Sequence, residues 1–369
     1  MSNDTKNIVL CCDGTSRDVS GDSTNVLRLF RSLENSPRQL TYYDSGVGTL
    51  PDPTQMTRLG KLVRKRLDEA IGHSVRENVC RAYQFLVDHY QPGDRIYLFG
   101  FSRGAYTLRA LAGMLHFLGL VKPELRELAR LGWTVYADDH GLLATSRRFE
   151  AAHRFRKSFA RSEPVRVHFL GAWDTVSAFG WIWQLRSVPF SANNPSIDHV
   201  RHAVAIDEQR TAFRPNLFRP VDPGQHLSFQ EVWFAGAHGD VGGGYPDSDS
   251  GLAKITLQWI IAEAETHGCH FQSEQVRYFL GQTGDVSKPD SMATAHQSIV
   301  GCWHLLEFCL RRQWDYQSKP ERMRWFTPNL YRRRPIPELA AVHSSVKEKI
   351  DRDPSYRPTN LPTSFTVVA

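Results

Sequence analysis

The residue best placed to do chemistry in this chain is Ser102, in Gly100-Phe101-Ser102-Arg103-Gly104, directly after the apolar run RIYLFG and directly before a helical repeat. A serine between two glycines at a strand-to-helix junction is the pattern of a nucleophile elbow. The turn is too tight for side chains at the flanking positions and leaves the hydroxyl projecting above the sheet. A serine hydroxyl is a poor nucleophile at neutral pH, so it requires a histidine base and a carboxylate that orients the base. Both are sought at the ends of later strands. The run VRVHFLGAW delivers Asp174 in WDTV, with Asp198, Asp207 and Asp240 as rival carboxylates. The run EVWFAGA delivers His238, followed by a glycine-rich loop that lets the backbone approach a ligand closely, with His343 as a rival base.

Such a nucleophile also needs an oxyanion hole, built from the backbone N–H after the nucleophile and another from a loop after an early strand. Arg103 supplies the first. Cys12-Asp13-Gly14-Thr15 is a small-residue turn that offers the N–H of Gly14 or Thr15 as the second. Asp13 and Asp240 are expected to support their loops, Asp13 by accepting backbone N–H bonds. Phe179, Trp181, Ile182 and Trp183, just after the acid, are candidates for an apolar wall or lid over an acyl chain, with core packing as the alternative. His267, Cys269 and His270, and separately Cys302 and His304, do not have the spacing of a zinc module, and the loop after His238 lacks the Lys-Ser/Thr ending of a P-loop. No metal or cofactor is expected.

The elements that must position these residues are short apolar runs bounded by turns, at Asn7 to Cys12, Arg95 to Phe99, Val165 to Leu170 and Glu231 to Ala235. Helical spacing of apolar residues appears between them, over Leu59 to Val87 and Arg103 to Leu118. Strands alternating with helices predict an α/β fold: a mostly parallel sheet with helices on both faces, whose ligands bind beyond the carboxyl ends of the strands. The segment from Asp44 to Thr57 reads as a loop. After Tyr278 the alternation fades, so the chain is taken as a single domain over 1–369 with a helical or irregular, basic aromatic elaboration over 277–340.

The 369 residues are 41% hydrophobic and 23% charged, an ordinary globular composition that excludes fibrous and disordered classes. The net charge is +6, and the stretch from Arg311 to Arg334, with eight Lys/Arg against Asp315 and Glu321, carries an equal excess. Trp314, Tyr316, Trp325, Phe326 and Tyr331 lie among those charges. The stretch reads as a solvated basic face or as a peripheral contact with an anionic membrane; nucleic acid is not the expected partner. The longest apolar stretch, Ala110 to Val121, is interrupted by Gly113, His116 and Gly119, and the polar start Met1 to Asn7 does not resemble an export signal. A cytoplasmic location is expected, with secretion by a non-classical route as the alternative. The six cysteines form no disulfide framework, which predicts a reducing compartment.

Several motifs in one order carry a resemblance: CDGTSRD with STNV following, YYDSGVGT, GFSRGAYTLRALAGML, the WDTV at Asp174, AIDEQRTAFRP, the AHGDVGGGYP at His238, and HSSV with YRPTNLP. From about Ile8 to Leu361 the chain resembles the α/β-hydrolase family typified by the catalytic domain of type VI secretion phospholipase effectors. That resemblance implies a Ser-Asp-His triad on Ser102, Asp174 and His238, and hydrolysis of phospholipid acyl esters. The function expected is a serine-dependent carboxylic-ester hydrolase acting on lipid or other esters. An esterase for small soluble esters and a non-catalytic binding module on a hydrolase scaffold stand as alternatives.

Overall fold

The computed structural model of the chain describes residues 5–14, 23–46, 60–137, 145–176, 180–181, 184–185, 188–210, 213–219, 222, 224–301, 303–308, 313–315, 322–324 and 329–369. Twelve strands occur among them: β1 (Asn7–Cys12), β2 (Gln39–Asp44), β3 (Arg95–Phe101), β4 (Val167–Trp173), β5 (Gly180–Trp181), β6 (Gln184–Leu185), β7 (Ile197–Ala205), β8 (Ser228–Phe234), β9 (Gln313–Asp315), β10 (Arg322–Arg324), β11 (Ala341–His343) and β12 (Thr366–Val368). Eight form one sheet in the order β12-β11-β8-β7-β4-β3-β1-β2. Every pairing in it is parallel. β5 with β6 and β9 with β10 are antiparallel ribbons.

A parallel sheet is buried on both faces, and β1 shows how the sequence meets that demand. All six residues of NIVLCC are buried. Ile8, Leu10 and Cys12 point into one apolar cluster with Val79, Tyr83 and Leu111, from the helices Gly60–His89 and Arg103–Leu118. Val9 and Cys11 point into a second with Leu29, Leu257 and Ile260, from the helices Asn25–Ser32 and Gly251–Thr266. Successive side chains thus serve helices on opposite faces. Among the described residues no helix is long and apolar enough to cross a membrane.

Two parts of the architecture depart from the sequence reading. β7 and β2 were not among the expected strands, because IDHVRHAVA and QLTYYD mix polar residues into the run. The alternation also resumes beyond the elaboration expected over 277–340. β11, the helix Ser344–Arg352 and β12 restore the alternation, and both strands extend the main sheet. Residues 47–57 of the expected loop lie outside the described residues.

Because all eight strands run the same way, their carboxyl ends share one edge. The turns after β1, β3, β4, β7 and β8 meet there. At the opposite edge the rings of His168 and His199, near the starts of β4 and β7, meet edge-on with centroids 5.1 Å apart, and His199 lies tilted against His267 at 4.1 Å.

Candidate active site

Ser102 occupies the single residue between β3 and the helix Arg103–Leu118, with φ 57° and ψ −122°. A non-glycine residue adopts such backbone angles only when its surroundings impose them. The Ser102 N–H donates to Trp173 O at 2.9 Å, and the flanking glycines permit the approach. A Cβ on Gly104 would lie 2.1 Å from Cys12 O, and one on Gly100 would lie 2.6 Å from the Ala105 Cα. The hydroxyl does not cap its helix. The first helical bond runs from Tyr106 N to Ser102 O, so the N–H groups of Arg103, Gly104 and Ala105 stand outside the ladder.

Asp174 follows β4 directly and also has a positive φ, 36°. Its N–H donates to Ala203 O at 2.7 Å, which ties the turn to β7. The carboxylate is fully buried and accepts four bonds: Oδ1 from Ala205 N at 3.0 Å and Arg334 Nη1 at 2.5 Å, Oδ2 from His238 Nδ1 at 2.5 Å and Arg334 Nη2 at 3.0 Å. Burial alone would raise its pKa, but the charge of Arg334 and the bonds from His238 and Arg334 hold the carboxyl well below the usual range.

His238 opens the short helix His238–Gly242 after β8. Its Nε2 lies 2.9 Å from Ser102 Oγ. With Asp174 ionised, Nδ1 carries the hydrogen and Nε2 turns its lone pair to the hydroxyl. Phe101 and Phe213 cover the ring at centroid distances of 4.5 and 4.8 Å. Burial holds the imidazole pKa below its ordinary value, against the opposing pull of Asp174. The arrangement therefore presents a neutral base that can take the Ser102 proton, beside helix N–H groups that suit a developing negative charge.

The rival residues are committed elsewhere. Asp198 pairs with Arg166 at 2.6 Å, and Asp207 accepts from Gly236 N at 2.7 Å, Tyr356 Oη at 2.8 Å and Arg333 Nη1. Asp240 accepts from Ala237 N at 2.8 Å and His296 N at 2.9 Å, with His296 Nδ1 2.6 Å from its other oxygen, so it braces the loop that bears His238. His343 Nδ1 accepts from Ser345 N at 3.2 Å, at the start of the last helix. In the first loop, Asp13 is buried and accepts from Gly14 N at 2.9 Å, Tyr43 Oη at 3.1 Å and Thr24 Oγ1. The Gly14 N–H is thereby engaged by Asp13 and is not presented to an oxyanion, a correction to one of the two donors expected there. The Cα of Gly14 does face Ser102: a Cβ on it would lie 2.8 Å from the Ser102 Cβ. Thr15, the other donor, lies outside the described residues.

Of the apolar candidates after the acid, Phe179, Ile182 and Trp183 lie outside the described residues, and only the backbone of Trp181, in β5, is described. In the basic stretch, side chains are described from Asn329 on, and two of them correct the reading as a surface patch. Arg334 is buried on Asp174, and Arg333 reaches Asp207. Tyr331 is exposed.

Several positioning residues escaped the sequence reading although their motifs were noted. In AIDEQR, buried Glu208 accepts from Arg210 Nε at 2.9 Å and Nη2 at 2.8 Å and from the His238 N–H at 3.1 Å. Burial would raise its pKa, but Arg210 brings it down to about 2. The Arg210 guanidinium lies 3.7 Å over the Phe213 ring that covers His238. In STNV, Thr24 holds Asp13 while Asn25 Nδ2 donates to Val241 O at 3.0 Å and Ala253 O at 2.7 Å. Asn25 thus ties the first loop to the loop of His238. Among the described residues no group of three or more His, Cys, Asp and Glu side chains is placed to hold a metal ion; His267 Nδ1 lies on Glu263 O at 2.7 Å and Cys269 Sγ on Gln39 Oε1 at 3.7 Å.

Comparison with known proteins gives three findings. The family model described as "T6SS, Phospholipase effector Tle1-like, catalytic domain" matches residues 6–263. An uncharacterized protein of Saccharomyces cerevisiae, YEL023C, is 26% identical over 553 residues, covering 97% of this chain and 80% of that one. A crystal structure of an uncharacterized protein from Pseudomonas aeruginosa is 22% identical with a TM-score of 0.43, covering 74% of this chain and 47% of that chain. The present chain spans about half the length of that structure.

Proposed function

Because the chain belongs to the family of Tle1-like phospholipase effector catalytic domains of type VI secretion, and is on that ground a phospholipase-type hydrolase, we propose that it cleaves acyl esters of phospholipids by serine-dependent acyl transfer. The observation that carries this reading is the buried line of hydrogen bonds from Asp174 through His238 to Ser102. Ser102 Oγ attacks the ester carbonyl while His238 Nε2 takes its proton. The tetrahedral intermediate collapses to an acyl-enzyme as His238 returns the proton to the leaving alcohol. Water, deprotonated by the same nitrogen, then releases the fatty acid. Asp174 holds the imidazole tautomer and offsets the charge of the imidazolium. The N–H of Arg103, outside the helical ladder, and a second from the Gly14–Thr15 loop serve the oxyanion, the latter from Thr15 while Asp13 engages Gly14. These steps need no cofactor.

The test is release of fatty acid from anionic phospholipid vesicles, with short p-nitrophenyl esters in parallel, comparing wild type with Ser102→Ala and His238→Ala. Vesicle hydrolysis lost in both variants supports the proposal. Hydrolysis that survives Ser102→Ala overturns the nucleophile, and cleavage of the short esters alone overturns the lipid substrate.

A further inference from the structure

Arg334 lies beyond the 6–263 family match and 160 positions along the chain from the carboxylate it binds. Its guanidinium grips both Asp174 oxygens, Nη1 to Oδ1 at 2.5 Å and Nη2 to Oδ2 at 3.0 Å. Two carbonyls fix the guanidinium in turn: Ala205 O accepts from Nη1 at 3.2 Å and Phe213 O from Nη2. Arg334 is 5% exposed and Asp174 0%. Burial makes such a carboxylate costly to ionise, a cost that Ala205 N and His238 would offset alone without Arg334. The fork adds to that offset and fixes its plane, so that Oδ2 meets His238 Nδ1.

The same contact has an electrostatic effect. Carboxylate and guanidinium sum to zero, so a proton that arrives on His238 meets less negative charge than an unpaired aspartate would offer. Of the other charged groups at this centre, Arg210 opposes and Glu208 favours a proton on His238. Glu208 and Arg210, from the segment after β7, form a bidentate pair. Asp207 takes Arg333, and Asp240, on the helix of His238, takes His296. From β3 and the segment after β7 the ring is met by Phe101 and Phe213, which carry no charge.

Resting on the reading of His238 as the base, we propose that Arg334 is a positioning residue that locks Asp174 in plane and in charge, and that its own charge extends to lower pH the range in which His238 stays neutral. The chemistry of the step is unchanged. What Arg334 sets is the acid limit of activity.

The experiment is an NMR titration of the histidine side chains in the full-length protein, with the His238 signal identified by its loss in His238→Gln, and with the pH profile of kcat/KM measured alongside. In Arg334→Gln the His238 pKa and the acid limb rise by about one unit. Arg334→Lys keeps the charge without the fork: the pKa stays near wild type while kcat falls at unchanged KM. Arg333→Gln loosens the same segment at Asp207 and leaves the His238 pKa where it was. An unmoved pKa in folded Arg334→Gln overturns the proposal, as does an equal rise in Arg333→Gln. If Arg334→Gln does not fold, Arg334→Lys decides, and a wild-type kcat there overturns the proposal. The titration needs no turnover, so a chain that cleaves no ester yet shows the rise refutes the hydrolase reading and leaves the coupling of Arg334 to His238 standing.

Discussion

At the scale of single residues the site is a set of groups that would be unfavourable alone. Asp174 and Arg334 are buried charges, stable only together. Asp174→Asn keeps the size of the side chain and removes the charge, which leaves Arg334 buried without its counter-ion and lets the amide meet the donors of His238 and Arg334. The expected result is a fall in kcat of roughly 10³–10⁴-fold, with a loss of about 3–5 kcal/mol in stability. Steady-state kinetics and urea unfolding measure the two. A variant with wild-type stability would mean that the guanidinium finds water or another acceptor. Arg334 also marks what a sequence conceals. Its type says only that it is positive, and in a run of arginines it reads as surface. Its burial is a consequence of pairing with a strand end far back in the chain.

At the scale of elements, the elbow depends on how closely the helix Arg103–Leu118 approaches the loop after β1. Gly104→Ala would drive a Cβ to 2.1 Å from Cys12 O, a backbone atom that cannot rotate aside. The helix must shift and carry Ser102 with it. Stability is expected to fall by roughly 1–3 kcal/mol, and kcat/KM by at least about 100-fold, because small displacements of reacting groups are costly. A Gly104→Ala enzyme with wild-type kinetics would contradict the close approach. The elbow and the turns bearing Asp174 and His238 were legible because local signals agree there: an apolar run, a small-residue turn and a reactive side chain fall within a few positions. β7 was not legible. It is a central strand, yet His199, Arg201 and His202 interrupt its run, and they are accommodated by partners on other elements: Ser228, Glu263 and Glu231. The contacts of Glu208 with His238 and of Asn25 with Val241 join loops remote in sequence, so the motifs gave the residues and not their partners.

At the scale of the whole molecule, the edge of the sheet opposite the site sets a limit on acid stability. His199, packed between His168 and His267, has its pKa brought down from 6.5 to about 4 by burial and by those neighbours, and burial alone does the same to His343. A histidine with a lowered folded-state pKa binds its proton more tightly when the chain unfolds. Its contribution is therefore complete above about pH 6.5 and is lost as the pH falls toward 4. Glu208 acts in a lower window. Its pKa falls from 4.5 to about 2 in the fold, so its contribution is present above 4.5 and drains away below it. The urea midpoint is accordingly expected to decline from pH 6.5 toward 4.5, and His199→Gln to make that decline shallower. Identical slopes for the two proteins would place the acid sensitivity elsewhere.

The span between Asp174 and Arg334 also fixes when a newly made chain can complete this pairing. Synthesis proceeds from the amino terminus at about 5–20 residues per second, so the 160 residues between acid and cation take roughly 8–30 s to make. During that interval Ser102 and Asp174 already stand in the chain and His238 is added, while the cation that pairs with the acid is still unmade. A site finished only once residue 334 is made separates the birth of Ser102 from the completion of its surroundings.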